Sequence, residues 1–124
     1  QRMAVNLIRL SRHMKPDIGV VDGTVGLQGN GPGGTDSVEL AVAAASADVF
    51  AVDAVVAKAM GFEPMTLGLL RYAHELGLGV ADLAEIEVLE TAIEDIAVPF
   101  KVHEDNVLQL QWQDDEASNY LQAK

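Results

Sequence analysis

A glycine-rich segment that begins at Asp22 has the composition of a ligand-binding loop. Six of the eleven glycines lie within twelve positions, from Gly23 to Gly34, directly after a short β-branched run. Glycine is used where the backbone adopts positive φ or closely approaches another group, and so dense a cluster costs conformational entropy that a plain connector would not need. We therefore predict an ordered, ligand-facing loop, with positive φ at two or more glycines of residues 29–34. The predicted ligand-binding residues of this loop are Asp22, Gly23, Gly29, Asn30 and Gly31.

Asp53 is the second candidate for chemistry, in a segment of helical periodicity that starts at Val49. On a helix Asp53 shares a face with Val52 and Val56, so its carboxylate is expected to point the way the apolar stripe points. Buried carboxylates are costly unless they are paired or hydrogen-bonded. Asp53 therefore either accepts hydrogen bonds from amides of the glycine loop or converges with Asp22 on a metal or a substrate proton. No catalytic residue can be predicted from these residue types and their spacing.

Asp22 and Asn30 also have structural interpretations. An aspartate before a glycine commonly starts a turn with its own side chain, which would account for Asp22. Its position after a predicted strand favours a ligand site, because ligands in open α/β sheets bind at the carboxyl ends of strands. Asn30 either adopts a left-handed conformation or presents its amide to a ligand. Asp48 is interpreted as a helix cap.

The hydrophobic pattern predicts the elements that position these residues. The predicted strands span residues 18–21, 38–45 and 86–89, with a weaker edge strand at 107–112. The predicted helices span residues 1–15, 49–60 and 64–76. This order predicts an α/β fold, a layered single domain in which helices pack on a small mixed or parallel sheet.

The length and composition predict one domain over residues 1–124, with a core at 3–100 and a variable tail at 101–124. A hydrophobic content of 49% over 124 residues is sufficient for a real core. The sequence starts at Gln1 rather than at a methionine. We therefore expect the chain to be part of a longer polypeptide.

Charge and composition argue against several classes of partner. A net charge of −11 would repel a phosphate backbone, so nucleic acid is not expected as a partner. No apolar run is suited to span a bilayer and no signal peptide is evident, so we expect a cytoplasmic protein with no membrane partner. The sequence contains no cysteine, and the chain therefore offers no thiolate for a zinc ion or an iron–sulfur cluster.

The sequence does not support a known nucleotide-binding or metal-binding motif, because the surrounding residues do not match what each motif requires. The segment from Gly29 to Gly34 formally matches G-x-G-x-x-G, with Asp53 near the distance of a ribose-binding acid. A strand-like run rather than a helix follows these glycines, and Asp53 falls inside a helix, so a dinucleotide site is not expected. No Gly-Lys-Ser/Thr follows, which excludes a P-loop. The three histidines lack the spacing of a metal site.

Several blocks together resemble a known family, from about residue 3 to residue 100. They are Asp22-Gly23, Gly29-Asn30-Gly31-Pro32, Ala47-Asp48, Ala51-Val52-Asp53-Ala54-Val55, Met60-Gly61-Phe62, Gly77-Leu78-Gly79 and Glu85-Ile86-Glu87-Val88. Their order and spacing resemble the C-terminal half of the family catalogued as domain of unknown function 362, which implies that the chain is the C-terminal portion of the longer polypeptide. Members often carry ferredoxin-like iron–sulfur clusters elsewhere in the polypeptide, so the resemblance implies an N-terminal half or a cluster-bearing segment as partner. Two positions depart from the family: Gln28 replaces a common acidic residue, and Glu90 lies near a common glycine.

Two functions of different class are consistent with these observations. In the first, the chain is the enzymatic or ligand-binding part of a redox-associated metabolic protein. The loop and Asp53 then hold a small polar or anionic ligand through backbone N–H groups, with a divalent cation as a candidate cofactor. In the second, the chain is a non-catalytic structural or partner-docking domain. A homo-oligomer is compatible with both, and carboxylates of Asp22 and Asp53 gathered beside one pocket would favour the first.

Overall fold

Two antiparallel strand pairs and a central helix organise the chain in the computed structural model, which describes residues 2–31 and 36–110. The strands are β1 (Gly19–Gly23), β2 (Gly26–Leu27), β3 (Ser37–Val38) and β4 (Val42–Ser46). The helices are α1 (Arg2–Ser11), α2 (Val49–Ala59), α3 (Gly68–Glu75), α4 (Ile93–Ile96) and α5 (Asn106–Gln109). Short 3₁₀ turns lie at Pro64–Thr66 and Leu83–Glu85.

The predicted α/β class is confirmed, and the strands are joined in antiparallel pairs. β1 pairs with β4 from Gly19 opposite Ser46 to Gly23 opposite Val42. The connection between β1 and β4 contains β2 and β3, which form a second, shorter antiparallel pair. A parallel pairing of β1 with β4 would need a long crossover, usually helical. The described part of this connection, residues 24–31 and 36–41, contains the β2–β3 pair and no helix. The pairing is therefore antiparallel in the described residues, whereas a mixed or parallel sheet was expected.

The strand predicted over 38–45 is two strands that pair with different partners. Ala41 separates β3 from β4 and adopts a left-handed backbone conformation, with φ of 55°. Its N–H donates to the carbonyl oxygen of Thr24 at 3.2 Å. The side chain of the preceding residue, Leu40, is buried. The chain thus passes from the β2–β3 pair to the β1–β4 pair over residues 39–41, with the left-handed residue directly before β4.

Helix α2 is the centre of the fold and confirms the helix predicted over 49–60. It packs against the β1–β4 ribbon and also against α3. Most of its residues are buried, and many of them are alanines, whose small side chains let neighbouring elements approach the helix closely. Residues from α1, α2 and α3 form one core cluster. Its buried members are Val5, Ile8, Phe50, Ala54, Ala57, Leu70, Tyr72, Ala73 and Ala81.

The other predicted helices are confirmed with shorter bounds. Helix α1 ends at Ser11, whose hydroxyl donates to the carbonyl oxygen of Leu7 at 2.9 Å. The segment predicted as 64–76 starts as a 3₁₀ turn at Pro64, and proline is well suited to a first turn. Leu67 then adopts an extended conformation, with ψ of 116°, before α3 begins.

Two strand predictions in the second half of the chain are wrong. Residues 86–89 form no strand, and the N–H of Ile86 instead closes the preceding 3₁₀ turn by donating to Leu83. The alternation there does not coincide with a neighbouring strand that could accept its backbone hydrogen bonds. Residues 107–109 belong to helix α5. The parts of that predicted strand and of the predicted tail that follow residue 110 lie outside the described residues. Among the described residues, no helix has the length and apolar character needed to cross a membrane.

Candidate functional site

Asp22 starts a turn at the end of β1, as its structural interpretation predicted. One carboxylate oxygen accepts hydrogen bonds from both the N–H of Thr24, at 2.9 Å, and its hydroxyl, at 2.6 Å. These two bonds stabilise the charged form and lower the pKa of Asp22. Gly23, the next predicted ligand residue, pairs with Val42, and a Cβ at Gly23 would come within 2.9 Å of Val42 Cγ2. Both residues thus have local structural roles.

The glycine loop is fastened to the segment after Phe100 by a polar network around Gln28. The side-chain amide of Gln28 donates to Asp36 Oδ1 at 2.8 Å, and its oxygen accepts from the backbone N–H of Lys101 at 2.9 Å. The ammonium of Lys101 donates to Asp36 Oδ2 at 2.6 Å. These bonds lower the pKa of Asp36, chiefly through Lys101 and then through Gln28. An amide at position 28 supplies both a donor and an acceptor, which a carboxylate there could not do.

The remaining loop residues contact the same segment. The N–H of Gly29 donates to the carbonyl oxygen of Lys101 at 2.9 Å, and Asn30 Oδ1 accepts from the N–H of Glu104 at 3.1 Å. Gly29 has a φ of 65°, whereas Gly31 does not have positive φ. The other two glycines of the predicted positive-φ set, Gly33 and Gly34, lie outside the described residues. One of the expected positive-φ glycines is therefore found in the described part of the loop.

A cleft of about 470 Å³ opens beside α2, on the face of that helix that carries Asp53. Pockets that bind small molecules commonly have a volume of about 300–1,000 Å³ and mostly apolar walls with a few polar groups. Here the polar side chains in the wall are Asp53, Asn106 and Gln109. The apolar part of the wall consists of Val21, Val56, Ala57, Met60, Phe62, Leu67, Leu69, Leu70 and Leu110.

The carboxylate of Asp53 lies on the wall of this cleft without a partner in the described part of the chain. The residue is exposed, and no hydrogen bond or ion pair from the described residues reaches it. The surrounding protein removes part of its hydration, which raises the pKa of Asp53. Val56 lines the cleft with Asp53 as the shared helix face predicted, whereas Val52 is buried and not part of the cleft wall. The carboxylate therefore lies at an open cleft, whereas burial with the apolar stripe was expected.

The structure does not bring the two candidate acids together. Asp22 and Val21 are neighbours on β1, so their side chains point to opposite faces of the ribbon. Val21 lines the cleft with Asp53, whereas Asp22 lies on the exposed face and is not part of the cleft wall. The expected anchoring of the glycine loop by Asp53 is also absent among the described residues. That role belongs to Gln28, Asp36 and Lys101.

The sequence analysis missed the polar residues that α5 contributes to the cleft. Asn106 and Gln109 are three residues apart and share a face of α5. The segment was interpreted as an edge strand from the alternation that follows Val107. A helical interpretation of the same residues would have placed both amides on one side.

The donor groups of the chain determine which metal ions or clusters it could hold. Within residues 2–31 and 36–110, no group of three or more His, Cys, Asp or Glu side chains is arranged to hold a metal ion. Iron–sulfur clusters are held by cysteine thiolates, and the sequence has none, so these residues do not fit such a cluster. Binding of a divalent cation by fewer than three protein side chains stays a prediction.

Comparison with known proteins relates part of the chain to an uncharacterised family. The "Thylakoid-associated protein sll1697" of Synechocystis sp. is 34% identical over 77 residues, which make up 62% of this chain. The match spans 24% of the length of that protein. None of the solved structures gave a significant match. Residues 1–58, which contain the glycine loop and Asp53, match the model of a family described as "Domain of unknown function (DUF362)".

Proposed function

We propose that this chain is a ligand-binding domain of the DUF362 family and that its cleft receives a small molecule with an apolar body. A cationic or hydrogen-bond-donating group on that molecule meets the carboxylate of Asp53. The observation that carries this proposal is a carboxylate that lies on a largely apolar wall and has no partner among the described residues. Asn106 and Gln109 supply further amide donors and acceptors at the same cleft.

The sign of the ligand charge follows from the electrostatics of Asp53. Its raised pKa means that the local environment disfavours the negative charge. A ligand cation would compensate this loss of hydration, whereas a ligand anion would add repulsion. The net charge of −11 acts in the same direction. An amine or guanidine with an apolar body is therefore the ligand class that fits best.

The glycine loop is the weaker of the two candidate sites for a ligand. An anionic ligand there would need free backbone N–H groups. The N–H of Gln28 donates to the carbonyl oxygen of Asp36, and that of Gly29 donates to Lys101. Asn30 uses its side-chain oxygen to accept from Glu104. A small anionic ligand at the loop, with Asp22, Gly23, Gly29, Asn30 and Gly31 around it, is kept as the competing proposal.

We also propose, from the family resemblance, that the domain is part of a redox-associated, iron–sulfur-linked metabolic protein. Because the sequence contains no cysteine, any cluster would be held by another segment or another polypeptide. The relative that matches 62% of this chain is called thylakoid-associated. A cytoplasmic location and a longer parent polypeptide are parts of the same proposal, and the reaction is left open.

A partner-docking role is the second candidate, and the exposed face of the β1–β4 ribbon favours it. Val20 is 71% exposed there, and Ala45 lies opposite it in the register. Asp22 and Ala43 form the next pair on the same face. In this version the glycine loop is a structural element that fixes the end of β1.

The proposal is tested with ligand probes of one shape and different charge. Thermal melting of the 124-residue chain is recorded with hexylamine, hexanol and hexanoate at equal concentration. We expect hexylamine to raise the melting temperature most, because only its charge complements Asp53. The Asp53→Asn variant should lose that increment. Glu87→Gln removes one exposed carboxylate elsewhere and should keep it.

Two results would count against the cleft. Equal stabilisation of the parent and Asp53→Asn proteins by hexylamine would remove Asp53 from the site. Stabilisation by phosphate or hexanoate that is abolished by Gly29→Ala would favour the glycine loop. A parallel series with MgCl₂ and CaCl₂ tests the divalent cation: an increment lost in Asp53→Asn or Asp22→Asn would assign it to that residue.

A further inference from the structure

Helix α1 has two apolar faces, and among the described residues only one of them packs against the rest of the protein. Val5 and Ile8 are buried in the core cluster, where α1 packs against α3. A second stripe at positions i, i+4, i+7 and i+11 points away from that core. Its members are Met3 (77% exposed), Leu7 (40%), Leu10 (53%) and Met14 (72%). Met14 lies just beyond the end of the helix.

The charge around this exposed stripe is opposite to that of the whole chain. Residues 1–16 contain four of the eight Lys and Arg residues and none of the nineteen Asp and Glu residues. Among the basic residues, Arg9 and Lys15 are exposed and directly adjoin the stripe residues Leu10 and Met14 in the sequence. A basic segment on an otherwise acidic protein favours a local positive charge along α1, which the net charge of −11 does not report.

We propose that the outer face of α1, defined by Met3, Leu7, Leu10 and Met14, lies on an anionic lipid surface. The apolar stripe enters the boundary between headgroups and acyl chains, and the neighbouring basic side chains contact lipid phosphates or carboxylates. This is a surface association, which needs no spanning helix. It replaces the expectation of no membrane partner, which considered only membrane-spanning segments.

Shape favours a lipid surface over an acidic protein. The stripe lies on the exposed side of a helix, with a flexible methionine at each end. A bilayer interface adapts to such a face, whereas a protein partner must supply a groove of matching shape. Charge complementarity alone would suit both partners, so the test includes the acidic protein as a separate outcome.

The experiment measures co-sedimentation of the 124-residue chain with vesicles. Vesicles of equal phosphatidylglycerol and phosphatidylcholine are compared with vesicles of phosphatidylcholine alone, at low and at high salt. We expect binding to the anionic vesicles that weakens with salt. Leu7→Asn with Leu10→Asn removes the apolar stripe, and Arg9→Glu with Lys15→Glu reverses two charges. Each pair should lower the partition coefficient on the order of tenfold or more.

A matched control and a folding check keep these results interpretable. Leu89→Asn with Lys58→Glu also removes an exposed leucine and reverses a charge, but far from α1 in the sequence, and it should retain binding. Circular dichroism verifies that every variant keeps its helices. Absence of binding to anionic vesicles by the folded parent would overturn the proposal, as would equal binding by the α1 variants. Capture on immobilised polyglutamate without vesicle binding would overturn it in favour of an acidic protein partner.

Discussion

The carboxylate of Asp48 joins the start of α2 to the backbone of Val80, which lies 32 residues further along the chain. One oxygen accepts from the N–H of Phe50 at 3.0 Å and from that of Ala51 at 3.4 Å, which caps the helix as the sequence predicted. The other oxygen accepts from the N–H of Val80 at 2.8 Å. One side chain thus fixes both the start of the helix beside the cleft and the loop that follows α3.

Replacement of Asp48 by alanine should destabilise the protein more than loss of an ordinary helix cap. The cap contributes about 0.5–2 kcal/mol, and a part-buried N–H left without a partner at Val80 costs about 1–3 kcal/mol. We expect a loss of about 2–4 kcal/mol in the free energy of unfolding, measured with urea. Asp82→Ala removes a cap that serves only Ala84 and should cost about 1 kcal/mol or less. Equal losses in the two variants would show that the bond to Val80 adds nothing.

Gly79 is required by its proximity to Asp48 rather than by its backbone conformation. Its φ is not positive, but a Cβ there would overlap the Asp48 carboxylate and come within 2.7 Å of Phe50 Cδ2. Both neighbours are fixed, so Gly79→Ala should cost about 1–3 kcal/mol and disturb the cap. Unfolding in urea measures the loss, and an amide chemical-shift change at Phe50 would locate it. A variant as stable as the parent would show that the carboxylate can move aside.

The glycine loop offers a matched pair of substitutions. Gly29 has positive φ and no atom within 4 Å of an added Cβ, whereas Gly31 lacks positive φ and has only an ordinary contact with Leu27, at 3.6 Å. Gly29→Ala should therefore cost about 1 kcal/mol of backbone strain, and Gly31→Ala should be nearly neutral. Thermal or urea unfolding of both variants compares them directly. Equal stability of the two would indicate that the loop relaxes around residue 29.

Local signals predicted the part of the fold that depends on local interactions. The bounds of α2 follow from its cap at Asp48 and its apolar periodicity, and β1 follows from a β-branched run. The break at Ala41 could not be predicted, because its left-handed conformation depends on pairing of the chain on both sides with separate strands. The alternation at 86–89 was misleading since a strand also needs a partner, which periodicity does not report.

Only those parts of the candidate site could be predicted from the sequence in which the residues interact within one helix or one turn. The placement of Asp53 beside Val56 follows from helical periodicity, although the carboxylate is exposed at a cleft instead of buried. The turn at Asp22 depends on a bond to a residue two positions away. The fastening of the glycine loop joins Gln28 to Lys101 across 73 positions. Nothing in the spacing of either residue indicates that contact, so the loop was assigned to a ligand.

The contacts of Asp36 with Gln28 and Lys101 should make the attachment of the glycine loop to the segment after Phe100 sensitive to acid. The pKa of Asp36 is lowered by Lys101, so this ion pair stabilises the folded state above the unfolded pKa of 3.8. That stabilisation is lost as the pH falls through the lower folded-state value. Carboxyl NMR titration should give Asp36 a pKa below 3.8 in the parent. In Lys101→Met the value should rise towards 3.8, while Lys58→Met should leave it unchanged. An unchanged titration in Lys101→Met would show that the ion pair is not formed in solution.

The contribution of Asp53 to the stability of the folded state should depend on pH in the opposite direction to that of Asp36. Desolvation raises the folded-state pKa of Asp53 above 3.8, so the folded state binds more protons than the unfolded state between the two values. The free energy of unfolding contributed by this residue therefore falls as the pH rises through that interval. Without a ligand, Asp53→Asn should match the parent near pH 3 and be slightly more stable at pH 7, by less than about 1 kcal/mol because the side chain remains partly hydrated. Urea unfolding at several pH values measures the difference, with Glu87→Gln as the control for loss of one negative charge. A variant that is less stable than the parent at pH 7 would mean that the charged carboxylate anchors a neighbour, and the cleft would then lose its free acid.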